Sequence, residues 1–197
     1  MEELDNAYEA VEMLRELGLP VSKAQLDNIE KLEKESGNRQ REDLKYYFLN
    51  QCYTSYTKRI MYMKQAKVRG EVIVAKPVLL LTIIEGIETE LFNKNEFQLT
   101  DWLEKQYVEL MQLYMRKSQF DKPTDISNPF WHLQSDGFWH LKYQGEQLGK
   151  SITPSKSWLK EKVEYAWFDE DLWILLQNKE WRQKLRDFII ENKLTNP

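Results

Sequence analysis

Between Leu44 and Gly70 the chain has no acidic residue, while Lys45, Lys58, Arg59, Lys64, Lys67 and Arg69 supply positive charge and Tyr46, Tyr47, Tyr53, Tyr56 and Tyr62 supply rings. Cations interleaved with aromatics can meet phosphates and stack on bases. The same pattern also fits a solvated helix whose tyrosines pack inward. Lys58, Arg59, Lys64, Lys67 and Arg69 are therefore the candidate phosphate contacts.

Other chemistry is scarce. The two histidines, His132 and His140, flank Ser135-Asp136-Gly137. Asp-Gly between aromatic-rich runs predicts a β-hairpin over Phe130–Gln134 and Phe138–Tyr143, because glycine accepts a positive φ without steric cost. Across a two-residue turn the histidines point to opposite faces, and across a three-residue turn they face each other. Neither case provides a third ligand at metal-binding spacing, so no metal or other cofactor is expected. Cys52 is the single cysteine, which excludes an internal disulfide and a cysteine-rich zinc site. No glycine-rich elbow surrounds a serine, and no glycine loop is built to cradle phosphate. No catalytic residue is nominated.

The elements that must position these residues are mostly helical. Lys76-Pro77 opens the most apolar run, Val78–Ile84, and proline suits a first helical turn, where its missing amide proton would be unpaired. A helix over 78–90 that is apolar on most sides belongs in the middle of a domain. Before it, 70–75 reads as irregular or briefly extended. After it come a short strand at Phe97–Leu99, a helix capped by Thr100-Asp101, a polar loop over 116–127, the hairpin, and a loop over 144–154. A short helix over 156–164 follows. A last helical stretch begins at Asp169-Glu170-Asp171, where acids favour the positive end of the helix dipole, and runs to about Glu191. Of the seven tryptophans most are expected in the core.

At the N-terminus, Leu4, Ala7, Tyr8, Val11 and Leu14 mark one apolar helical face that Gly18 stops. Ser22-Lys23-Ala24-Gln25 is a capping box opening a second helix that is expected to end at Gly37. The predicted organisation is a helical-hairpin extension over 1–38 and a main domain over 39–197. The fold class is mainly α with a small β-hairpin (α+β), about eight helices around one central apolar helix.

The 28 basic and 32 acidic residues give a net charge of -4, which argues against indiscriminate coating of nucleic acid. The 42% hydrophobic and 30% charged fractions are those of a globular protein. Val78–Ile84 is far too short to span a bilayer. Acids in Met1–Asn6 stand where a secretion signal would carry positive charge, so a cytoplasmic location is expected.

Several motifs occur in an order found in one family. These are Ala75-Lys76-Pro77-Val78-Leu79-Leu80-Leu81, the helix after Phe97, Pro129-Phe130-Trp131-His132-Leu133-Gln134-Ser135-Asp136-Gly137-Phe138-Trp139, and Phe168-Asp169-Glu170-Asp171-Leu172-Trp173. Residues 45–192 resemble the sulfur-binding domain that precedes the nuclease domain of phosphorothioate-dependent HNH restriction endonucleases. The resemblance implies binding of double-stranded DNA whose backbone carries sulfur in place of a non-bridging oxygen. It also implies a shallow apolar pocket to which Pro129 and Lys76 contribute, with Asn128 and His132 beside them. The family often has histidine before the basic residue and tyrosine before the proline, where this chain has Ala75 and Asn128. No HNH motif follows, so the expected role is a DNA-recognition module of a restriction or defence system, working with a separate or missing nuclease. The alternative is a protein-interaction or scaffold domain that keeps the fold without binding DNA.

Overall fold

The computed structural model describes residues 2–115, 122–145 and 152–195. Parts of the expected loops over 116–127 and 144–154 lie outside the described residues. The chain divides into two compact units between Asn50 and Gln51.

In the first unit, α1 (Glu2–Glu16) and the start of α2 (Lys23–Met61) follow the predicted hairpin. The Ser22 amide donates to Gln25 Oε1 at 2.9 Å and the Gln25 amide to Ser22 Oγ at 3.3 Å, so the capping box forms as expected. Tyr8 hydrogen-bonds Glu33, and Val11 and Ile29 are buried. The predicted stop at Gly37 does not occur, because α2 runs on to Met61. An interior glycine costs a helix only about 1 kcal/mol against alanine. With no proline after it, and with the Lys34–Glu30 and Lys31–Glu35 pairs bracing the preceding turns, that cost is outweighed.

The second unit is organised on α3 (Ala75–Glu88), in which Val78, Leu79, Leu80, Leu81, Ile83 and Ile84 are all buried. Around it pack α4 (Asp101–Tyr114), α5 (Ser127–His132), α7 (Glu170–Gln177) and α8 (Lys179–Ile189). The central apolar helix is therefore present, and the described residues form eight α-helices where about eight are expected from the sequence. Thr100 caps α4 as predicted, its Oγ1 accepting from the Leu103 amide at 3.3 Å.

The predicted hairpin is the main correction. Residues 127–132 form α5 and 133–136 a 3-10 turn, and only Trp139–Tyr143 is a strand, β3. Strand β3 pairs antiparallel with β4 (Val163–Phe168), which follows α6 (Lys156–Lys162). Residues 163–164 thus leave the expected helix and begin a strand. Asp136-Gly137 does turn the chain, with Gly137 at φ 80°, but the turn joins a helical end to a strand. Local turn chemistry is satisfied in both arrangements; tertiary packing chooses. Phe130, Trp131 and Leu133 recur at helical spacing and bury one face, and Trp139 Nε1 donates to the Phe130 carbonyl at 2.8 Å inside the core. Phe97 bridges to Ala166 at the sheet edge, which accounts for the short extended segment predicted there.

An earlier two-residue turn at Arg69-Gly70 joins β1 (Lys67–Val68) to β2 (Glu71–Val72), both turn residues having positive φ. The sequence predicts only an irregular or briefly extended entry over 70–75, and the paired strands are a finding of the structure. Trp131, Trp139 and Trp181 are buried, and the other four tryptophans are partly covered. No described helix is long and apolar enough to cross a membrane.

Candidate functional site

Where α2 ends, residues 64–66 descend towards β1, and the β2 exit at Ile73 returns beside them. The Ile73 amide donates to the Ala66 carbonyl at 2.8 Å, and Gln65 Nε2 to the Ile73 carbonyl at 3.2 Å. Opposite this wall stand the first turn of α3, with Ala75 and Lys76, and the exposed side of α5, with Asn128 and His132. Together with Ser135 they enclose a cleft of about 310 Å³. Three of the site residues nominated from the family motif, Lys76, Asn128 and His132, thus share a cleft with Lys64, nominated from charge alone. The hairpin reading had placed His132 on a strand. On α5 it stands one helical turn after Asn128, which is why both reach the same cleft.

Pro129 is buried between Asn128 and Phe130 and does not line the cleft. It occupies the first turn of α5, where proline fits. Lys67 and Arg69 are exposed on the β1–β2 hairpin, which springs from the cleft wall. Lys58 is exposed on α2.

The charge of Lys76 is already partnered. Its Nζ lies 2.6 Å from Asp136 Oδ2 and 3.1 Å from Ser135 Oγ, and only 12% of the Lys76 side chain and 5% of the Asp136 side chain remain exposed. The other oxygen of Asp136 accepts from the Lys64 amide at 3.2 Å. One carboxylate therefore holds the ammonium of Lys76 and the backbone of Lys64 at the cleft. From behind, buried Lys193 donates to the carbonyl of Met61, the last residue of α2, at 3.1 Å. Burial lowers the Lys193 pKa, while the field of Asp136 raises it.

His132 is half-buried, with Nε2 2.6 Å from Thr153 Oγ1. Burial, and next the charge of Lys76, hold its pKa below the ordinary value, so the ring is neutral near pH 7. The cleft thus offers an amide, a neutral imidazole, a hydroxyl and two ammonium groups beside the apolar side chains of Ala66, Ile73 and Ala75.

A second polar cluster lies away from the cleft. Asp169 accepts from Arg59 at 2.9 Å and from Tyr56 at 3.1 Å, and its other oxygen is 2.6 Å from His140 Nε2. Burial opposes ionisation of Asp169, but hydrogen bonds from His140, Arg59 and Tyr56 outweigh it and hold the carboxyl below its usual range. Tyr56 also binds Asp171, and burial with these acids pushes its hydroxyl far above the ordinary tyrosine pKa. Arg59, nominated for phosphate, is thus engaged by Asp169. His140 and His132 are separated into different clusters rather than facing one another. Burial, and then Asp171, raise the pKa of the Cys52 thiol. No group of three or more described histidine, cysteine, aspartate or glutamate residues could hold a metal.

Sequence reasoning missed Asp136 as more than a turn former, and missed Lys193 altogether. Lys193 has no local signal, since its partner Met61 lies 132 residues earlier.

The fold is thus a mainly helical domain with a polar, cation-bordered cleft. Residues 54–196 match the family described as ScoMcrA-like, DNA sulfur-binding domain, and the chain belongs to that family. The fold is similar to a solved structure of the sulfur binding domain of SprMcrA complexed with phosphorothioated DNA. The TM-score is 0.56 at 15% identity, covering 73% of this chain and 86% of that one. The corresponding ScoMcrA domain, also complexed with phosphorothioated DNA, gives 0.51 at 18% identity, covering 70% and 86%. A ScoMcrA structure with sulfur binding and SRA domains gives 0.53 at 20% identity, covering 68% and 41%. No curated protein matches.

Proposed function

We propose that this domain is the DNA-recognition module of a restriction or defence endonuclease system, working in the cytoplasm, and that its cleft receives a phosphorothioate of the duplex backbone. The observation that carries this reading is the convergence of Lys64, Lys76, Asn128 and His132 on one cleft in a member of this family. Lys76 presents an oriented ammonium to the anion, and Lys64 adds charge at the rim. Ala66, Ile73 and Ala75 provide apolar surface for sulfur, which is larger, softer and less well hydrated than oxygen and so costs less to desolvate. Asn128 and His132 hydrogen-bond the remaining phosphate and sugar oxygens. Pro129 acts from behind, holding α5 so that Asn128 and His132 face the cleft. Lys58, Lys67 and Arg69 contact neighbouring phosphates, whereas Arg59 must leave Asp169 to do so. Cleavage is assigned to a nuclease on a separate polypeptide or elsewhere in a longer chain.

The test is a titration with two duplexes of one sequence, with and without a phosphorothioate, at two salt concentrations. Lys76→Ala and Pro129→Ala accompany the parent. Tighter binding to the sulfur duplex that both variants lose supports the reading. Equal, salt-sensitive binding to both duplexes removes sulfur recognition and keeps DNA. Absence of binding at low salt leaves the scaffold alternative.

A further inference from the structure

The ordinary expectation for a lysine in a phosphate site is a free cation, and Lys76 is not one. Its ammonium is 2.6 Å from a carboxylate that is almost wholly buried, and Ser135 Oγ takes a second contact at 3.1 Å. A lysine ammonium has three N–H donors, so one is left for the cleft that Lys76 lines. Asp136 has no freedom to withdraw, because its other oxygen is engaged by the Lys64 amide.

We infer that Asp136 attenuates the charge that the cleft offers to the DNA backbone: it offsets the charge of Lys76 while aiming it, so that the cleft gains little from the charge common to every phosphate. This deepens the DNA-binding reading and rests on it. Non-specific DNA binding is an electrostatic term that grows with each phosphate neutralised. A paired lysine keeps its directed hydrogen bond and contributes little to that term. Affinity for ordinary backbone is thereby lowered, and because a phosphorothioate carries the same charge its binding gives up the same term, so any preference between the two must come from contacts other than net charge. In Asp136→Asn the side-chain oxygen can still accept from the Lys64 amide, while the amide nitrogen turns towards Lys76 and releases it as a free cation.

The experiment measures the full chain, Asp136→Asn, Lys76→Gln and the double variant against the unmodified and phosphorothioate duplexes over a salt series. Thermal melts of each protein run alongside. Asp136→Asn is expected to tighten binding to the unmodified duplex about fivefold at low salt. Its log Kd against log salt should steepen by about 0.9, the increment for one further phosphate neutralised. Lys76→Gln leaves the carboxylate uncompensated in the cleft and should bind worse than the double variant, which removes both charges. That rescue separates a charge effect from a folding defect, which would only accumulate. Asp136→Asn binding both duplexes more weakly at unchanged salt slope, with no rescue in the double variant, overturns the inference and leaves the DNA-binding reading standing. A parent that binds neither duplex overturns both.

Discussion

Two carboxylates in this domain hold cations by similar chemistry, yet one pair borders a cleft and the other ties elements together. Asp136 grips Lys76 at 2.6 Å where 12% of the lysine side chain is exposed. Asp169 grips Arg59 at 2.9 Å where 44% of the arginine side chain is exposed. Exposure alone would have picked Arg59 as the ligand contact. What separates them is where the remaining donors and neighbours point. Around Asp169 the neighbours are Tyr56, His140 and Arg59, from α2 and β3, all directed at one acceptor that precedes α7. Asp136 is engaged through both oxygens, by Lys76 and by the Lys64 amide, yet Lys76 still lines open space.

The largest expected effect tests this contrast on the ligand side. Lys76→Gln should weaken DNA binding on the order of 10- to 100-fold, as expected for roughly 1.5–3 kcal/mol of charge-assisted hydrogen bonding lost. Arg59→Gln should change it less than about threefold, the range of a rim charge. Titrations of the two variants at one salt concentration decide this. Equal losses would erase the distinction between a ligand contact and a tie.

Next in size is the structural side. Asp169→Asn removes an acceptor serving three side chains and should lower stability by about 1–3 kcal/mol, read by denaturant melts, with little change in DNA affinity at temperatures where the protein is folded. Its pH signature has a defined sign. The Asp169 pKa is depressed in the folded chain, so its contribution is complete above the unfolded carboxylate value of about 3.9 and is lost as pH falls through the lower folded value. The parent should lose stability on acidification over that window more steeply than Asp169→Asn.

The contrast also shows what could be read before the structure. The apolar run at 78–84 announced a central helix because almost every position along it is hydrophobic, whatever its neighbours do. Lys76, Asn128 and His132 were nominated through the family resemblance, and the fold brings these residues from two separate motifs to one cleft. The segment 130–134 was misread because aromatics beside Asp-Gly satisfy strand and helix rules alike, and the true partner of β3 begins at Val163, twenty residues beyond Tyr143. Asp136 looked complete as a turn former. Its second role depends on Lys76, 60 residues away, and no local pattern encodes that.

A smaller effect sharpens the account of the rim. Lys64 is exposed, and its backbone rather than its side chain is held by Asp136. Lys64→Gln should therefore cost only about three- to fivefold in affinity, equally for all duplex sequences, and reduce the salt slope by about 0.9. Sequence-dependent loss would make Lys64 a base reader instead.

The smallest effect concerns His132, which joins the two halves of the comparison because it is a titratable group lining the cleft. Its folded pKa lies below the unbound reference of about 6.5, through burial and the nearby charge of Lys76. For the unliganded fold the sign is unfavourable in acid: the unfolded chain binds this proton more readily, so stability falls as pH drops below about 6.5. DNA reverses the sign locally, since a phosphate in the cleft favours the imidazolium. Binding should then strengthen modestly, about two- to threefold, from pH 7.5 to pH 6, with proton uptake that His132→Gln abolishes. His140→Gln should leave that pH dependence intact, because its partner is Asp169 and not the cleft. If the His140 variant abolishes it instead, the cluster around Asp169 takes part in binding, and the division between tie and ligand contact fails.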